Sequence, residues 1–168
     1  MSFSLAGIIP RMSELNRREF GMAMAAFAAL ANIAEGQTSK ADGVLTTQRV
    51  YRYEDLPGRP SASGESRAVL NGILPTGEAL EVHETTLMPG QMPHPPHRHA
   101  HSELLLIREG TLDYLNEGKQ ERAVPGDVIF TSSMKLHGLK NVGTVPAKYF
   151  VVAVGVQSVP IMEATPAT

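Results

Sequence analysis

The stretch Pro89-Gly90-Gln91-Met92-Pro93-His94-Pro95-Pro96-His97-Arg98-His99-Ala100-His101-Ser102-Glu103 decides how this chain is read. Four of its six histidines fall here within eight positions, followed by a carboxylate just ahead of the apolar run Leu104-Leu105-Leu106-Ile107. On an extended strand, side chains two apart share a face, so His97, His99 and Glu103 point the same way. His101 has the same parity and competes for the same role.

The apolar run ends at the glycine turn Arg108-Glu109-Gly110-Thr111, and Leu112-Asp113-Tyr114-Leu115 then reads as the returning strand of a hairpin. A second apolar stretch, Asp127 to Thr131, leads through Ser132-Ser133-Met134-Lys135 to Leu136-His137-Gly138-Leu139. If the sheet folds over itself, His137 adds a third imidazole. Three neutral imidazoles and a carboxylate suit one divalent transition metal, with positions left for water or substrate. The plainer alternative is a set of surface histidines near a turn, or a site that has kept its residues and lost its metal.

These residues resemble the cupin superfamily, whose first motif is a glycine, five residues, HxH, three or four residues, Glu, six residues and Gly. Gly90, His97, His99, Glu103 and Gly110 follow it with one extra residue in the first gap. The second motif runs Gly, five residues, PxG, two residues, His, three residues, Asn. Gly126, His137 and Asn141 fit, whereas Ser132 replaces the proline and Met134 the glycine. The resemblance covers residues 70 to 156 and implies an all-β fold, a cupin-like double-stranded β-helix or jelly-roll barrel. It implies a metal held by His97, His99, Glu103 and His137, Fe or Mn ahead of Zn, Ni and Cu. It does not name a reaction, because this fold hosts many.

Composition narrows the field. One domain with a sizeable core fits 168 residues. A net charge of −2 with no basic stripe argues against nucleic acid. The absence of cysteine removes disulfides, thiolate nucleophiles and thiolate ligands. No window is long enough to span a membrane.

At the N-terminus, Asn16-Arg17-Arg18-Glu19-Phe20 precedes the uncharged, Ala-rich stretch Gly21 to Ala31, and Met12 is an alternative start. Basic residues, a short apolar segment and small residues at Ala29-Leu30-Ala31 are the parts of an export leader. They resemble the bacterial twin-arginine signal, with Asn16 where a serine or threonine is usual. Export to the periplasm is the expectation; if the segment is instead a structural helix, the protein is cytoplasmic.

Residues 1–34 are thus assigned to the leader and the start of a linker, 35–69 to linker and a peripheral segment, 70–156 to the barrel and 157–168 to a tail. Val44 to Tyr53 is a candidate strand, Asp55 to Gly64 reads as a long loop, and Ala79 to Met88 is the first clear strand. Ala147 to Val154, almost wholly apolar, is expected to have both faces covered or to lie at a subunit contact.

Catalytic candidates are few: His94 among four prolines, as a proton donor at the barrel mouth or a solvated loop residue; His101; and Tyr149, with Phe150 competing for the inward face. Met134, Phe130, Leu105 and Ile107 are candidates for the cavity wall. Asn141 and Asp127 read as turn-forming residues. His83 and Glu81 share one face of their strand, and the pattern does not choose which face is inside.

The expected function is a metal-binding small cupin, a metal-dependent oxygenase- or oxidase-like enzyme acting on a small oxygenated molecule. A non-enzymatic metal- or ligand-binding protein and a metal-dependent isomerase or hydrolase are the alternatives. The expected assembly is a homodimer.

Overall fold

The computed structural model describes residues 42–155 and the short strand at 161–162. The leader reading at residues 1–34 and most of the tail lie outside the described residues. The strands are β1 (Gly58–Ser61), β2 (Gly64–Ile73), β3 (Ala79–Leu87), β4 (His97–Arg98), β5 (Ser102–Glu109), β6 (Leu112–Asn116), β7 (Lys119–Ala123), β8 (Val128–Thr131), β9 (His137–Asn141), β10 (Ala147–Val154) and β11 (Ile161–Met162). They form two antiparallel sheets, one of six strands in the order β1-β2-β3-β10-β5-β8 and one of five in the order β11-β4-β9-β6-β7. The fold is all-β, as the sequence led us to expect.

Alternation along each strand decides which side is buried. On β5, Leu105 and Ile107 are buried while Leu104 and Leu106 are exposed; on β10, Ala147, Tyr149 and Val151 are buried. Leu112, Tyr114 and Leu139 answer them from the other sheet. The core therefore lies between the sheets, and the apolar runs carry one inward and one outward row rather than two buried faces. On β10 the outward row is half-buried, with the Arg108 guanidinium 5.5 Å from the Phe150 ring centre and 2.5 Å from Glu84.

Three sequence expectations are corrected. Leu112 to Leu115 is not the returning strand of a hairpin with β5, because β6 pairs with β7 and β9 in the opposite sheet. Gly110 makes this crossing, with a φ of +84° and Ala147 so near that an added Cβ would lie 2.6 Å from its Cα. Val44 to Tyr53 holds no strand beyond a single bridge from Val44 to Ile73, and Tyr53–Asp55 is a short 3-10 turn. Part of the loop expected at Asp55 to Gly64 is β1, which closes on β2 as a hairpin, so the six-stranded sheet extends N-terminal to residue 70. No helix among the described residues is long and apolar enough to cross a membrane.

Candidate metal centre

His97 enters from β4, whose one pairing with β9 sets it directly opposite His137. His99 follows in the loop to β5, and Glu103 stands at the start of that strand, so His97, His99 and Glu103 do not share one face of one strand as their parity suggested but come from two strands of different sheets and the loop between them. His97, His99 and His137 are each at most 5% exposed, and their candidate ligand atoms lie within 4.8 Å of one another. Glu103 joins them, its carboxylate 3.2 Å from His99 Nε2 and 3.9 Å from His137 Nε2. The four residues singled out as ligands are thus in one place.

The hydrogen bonding fits a cation. His99 Nδ1 donates to the His101 carbonyl and His137 Nδ1 to the Lys135 carbonyl, both at 2.9 Å. Each bond fixes the ring so that its Nε2 lone pair faces the cluster, the arrangement that second-sphere partners impose on metal-binding histidines. His137 Nε2 and His97 Nδ1 are buried without a hydrogen-bond partner, and His99 Nε2 has only the Glu103 carboxylate beside it, at 3.2 Å. Buried polar atoms are seldom left so, and a metal ion would satisfy them.

Charge acts in the same direction at His97 and His137 and in the opposite direction at His99. Burial, reinforced by neighbouring His94, His137 and His99, pushes the His97 pKa down to about 3, and burial lowers His137 as well. Both rings are neutral and ready to ligate at neutral pH. For His99, burial resists protonation, but the adjacent Glu103 carboxylate and the His101 carbonyl outweigh it and hold the pKa above its usual value. For Glu103, burial works against ionisation, yet His101 and His99 keep the carboxyl well below the usual range.

His101 is a neighbour of this group in its own right. Its ring stacks on His99 at 3.7 Å and its Nε2 lies 3.0 Å from Glu103 Oε1. With His99 and Glu103 it forms a second group of metal-binding type.

The turn before His137 keeps its shape despite the two departures from the motif. Lys135 N–H closes it on the Ser132 carbonyl, and Met134 takes a φ of +59°, the left-handed conformation for which glycine is suited. Met134 N–H also bonds the His99 carbonyl, so this turn supports both His99 and His137.

A narrow cavity, with about 40 Å³ of space for water-sized occupants, adjoins the cluster. Glu103, His137, His83, Thr85, Tyr149 and Tyr114 line it. Tyr149 points inward and Phe150 outward, and burial raises the Tyr149 pKa so that it remains a phenol. His94 is not a solvated loop residue: it is half-buried, lines the cavity and sets its ring 4.1 Å from that of His97. The Pro89 to Pro96 loop is held by Gly90 N–H to the Asn141 carbonyl and Asn141 N–H to the Gln91 carbonyl.

Leu105 lines the cavity, but Ile107 is core, while Phe130 and Met134 are 62% and 46% exposed. Asn141 and Asp127 are turn-forming, as expected: Asn141 Nδ2 donates to the carbonyls of Leu87 and Val145, and Asp127 Oδ2 accepts Val124 N–H. Sequence reasoning missed the place of His83 and Glu81, which the fold puts on the inward face of β3. The signal was the shared parity of Glu81, His83, Thr85 and the fully buried Leu87.

The cupin domain family matches residues 83–153 of this chain. The fold is the cupin barrel. Comparison with curated proteins gives no match. Among solved structures, KdgF from Halomonas sp. superposes with a TM-score of 0.58 at 16% identity, covering 67% of this chain and 97% of its own. The polyketide cyclase RemF from Streptomyces resistomycificus gives 0.57 at 18%, covering 71% and 87%. A cupin-superfamily sugar phosphate isomerase from Silicibacter pomeroyi gives 0.55 at 19%, covering 64% and 76%. At these identities the likeness is one of fold, and it accommodates enzymes of unlike chemistry.

Proposed function

We propose that this cupin is a metal-dependent enzyme acting on a small oxygenated molecule. The observation that carries the reading is the convergence of buried His97, His99 and His137 with Glu103, two of the rings being locked by their Nδ1 bonds so that Nε2 faces the cluster. That donor set suits Mn(II) or Fe(II), and the ion would supply Lewis-acid polarisation of a substrate oxygen. Around it, Tyr149 offers a hydroxyl that stays protonated, and His94 stands beside His97 where the loop meets the cavity. The polyketide cyclase and sugar phosphate isomerase among the structural neighbours make an oxygen-rich substrate a reasonable class.

The small cavity favours one competing reading, a metal-carrying protein without turnover. Both are tested on protein purified without chelators, by elemental analysis followed by a screen of small oxygenated molecules with and without dioxygen. One equivalent of Mn or Fe with product formation supports the enzyme; metal without turnover supports the carrier; no metal uptake defeats both.

Two further parts of the proposal concern context. The outward row Leu104, Leu106, Val128 and Phe130 leaves an apolar strip on β5 and β8, which supports a homodimer. The leader at residues 1–34 supports periplasmic export, and mass spectrometry of the mature N-terminus from a bacterial host tests it.

A further inference from the structure

His83 stands apart from the metal-binding group. It projects from β3, and β10 lies between that strand and the ligand-bearing β5, so roughly 10 Å of sheet separates the two backbones. Its Nδ1 lies 2.9 and 3.0 Å from the two oxygens of Glu81. His83 is 4% exposed and Glu81 is 9% exposed. The cross-strand neighbour of His83 is Val151, and the next inward position but one on β3 is Leu87. An aliphatic side chain would fill such a place at no electrostatic cost, whereas burying an imidazole and a carboxylate is unfavourable even when they are paired.

The geometry of the pair resembles what a proton acceptor needs. With Nδ1–H donated to Glu81, the tautomer and the ring orientation are fixed, and Nε2 is the nitrogen that can take a proton. His83 lines the same cavity as Glu103 and His137. Of the other groups there, Tyr149 is held as a phenol by burial, and His94 belongs to the ring cluster around His97. Among the described residues, His83 is the cavity-lining imidazole that pairs with a carboxylate outside the metal-binding group.

We propose that His83, oriented by Glu81, is the general base of this site and removes a proton from carbon. The inference rests on the metal-enzyme reading, in which the substrate's oxygens face the wall formed by His97, His99, His137 and Glu103. A base on β3 then meets the carbon skeleton and not those oxygens. The substrate class is a small carbonyl compound bearing hydrogen on the adjacent carbon, a hydroxyketone or a 2-oxo acid, kept to a few carbons by the narrow cavity. In the step, the C–H bond breaks and its proton passes to His83 Nε2. The electron pair forms the C=C bond of an enolate while the carbonyl π pair moves onto oxygen. Return of a proton from Nε2 to the same carbon restores the compound, so the balance is exchange of carbon-bound hydrogen with solvent and requires no oxidant or reductant.

The test incubates the full chain, loaded with Mn(II), in D2O with dihydroxyacetone and with pyruvate, and follows deuterium uptake by mass spectrometry. The wild type is expected to exchange well above buffer. His83→Gln should lower the rate about 100-fold or more, in the range of general-base contributions, and should bind Mn(II) as the wild type does. Glu81→Gln, which keeps the shape and removes the charge, should fall between them; it also serves if His83→Gln does not fold.

Wild-type exchange by His83→Gln, loss of Mn(II) binding in that variant, or no exchange of either probe by the Mn(II)-loaded wild type would each overturn the inference. The two readings fail separately. A wild type that binds no Mn(II) yet shows His83-dependent exchange loses the metal reading and keeps the base, whereas one that shows neither loses both.

Discussion

Met134 offers a prediction whose sign is set by backbone geometry alone. Its φ of +59° places an L-residue in the left-handed region, at a cost of about 1–2 kcal/mol. Replacing it by Ala or by Gly deletes the same half-exposed side chain, so the difference between the two variants isolates the Cβ. At an ordinary position Ala is the more stable of the pair by roughly 0.5–1 kcal/mol, because glycine has more freedom to lose on folding. Here relief of the left-handed strain exceeds that term. Met134→Gly should therefore be the more stable by about 0.5–1 kcal/mol, or about 2 °C in melting temperature for a chain of this length. Met134→Ile, β-branched, should be the least stable of the three. Urea unfolding of the metal-free variants measures the order. Ala equal to or above Gly would refute the claim that the turn before His137 is held in a strained conformation.

Other expectations bear on the site and its support. Metal-free protein should lose stability as pH falls from about 6.5 towards 5: unfolded His97 takes a proton near 6.5, whereas folded His97 does so only near pH 3, so acid favours the unfolded chain by up to about 1.4 kcal/mol per pH unit. His137 acts in the same direction, and His99, with its raised pKa, opposes them; a melting temperature that rises on acidification would show that His99 dominates. Asn141→Ala should cost about 3 kcal/mol in urea unfolding, since it strips the buried Leu87 carbonyl and the Val145 carbonyl of their donor. Phe130→Glu should shift a dimer to monomer in light scattering without altering the far-ultraviolet spectrum, and an unchanged mass would remove β8 from the interface.

Much of the barrel was legible because chemistry and spacing coincide in a few residues. The spacing of His97, His99, Glu103 and His137 points to one site, and Gly110 and Gly126 mark turns at positive φ. What the pattern could not give was the destination of each strand. A hairpin and a crossing between sheets both need apolar alternation on either side of Gly110, and it is the pairing of β6 with β7 and β9 that distinguishes them. The inward face of β3 was hidden for a related reason: Glu81 and His83 alternate with Leu80, Val82 and Glu84, so each face offers charge. Pairing with β10 and burial of Leu87 decide it. His94 was unreadable because its placement depends on a loop tied to β9 through Gln91 and Asn141, contacts about fifty residues apart in sequence.

The metal centre itself is most directly tested by anomalous diffraction from crystals grown with Mn(II). The expected result is a single peak bonded at roughly 2.0–2.3 Å to His97, His99, His137 and Glu103. A peak held by His99, His101 and Glu103 with His97 and His137 unbound, or no peak at all, would contradict it.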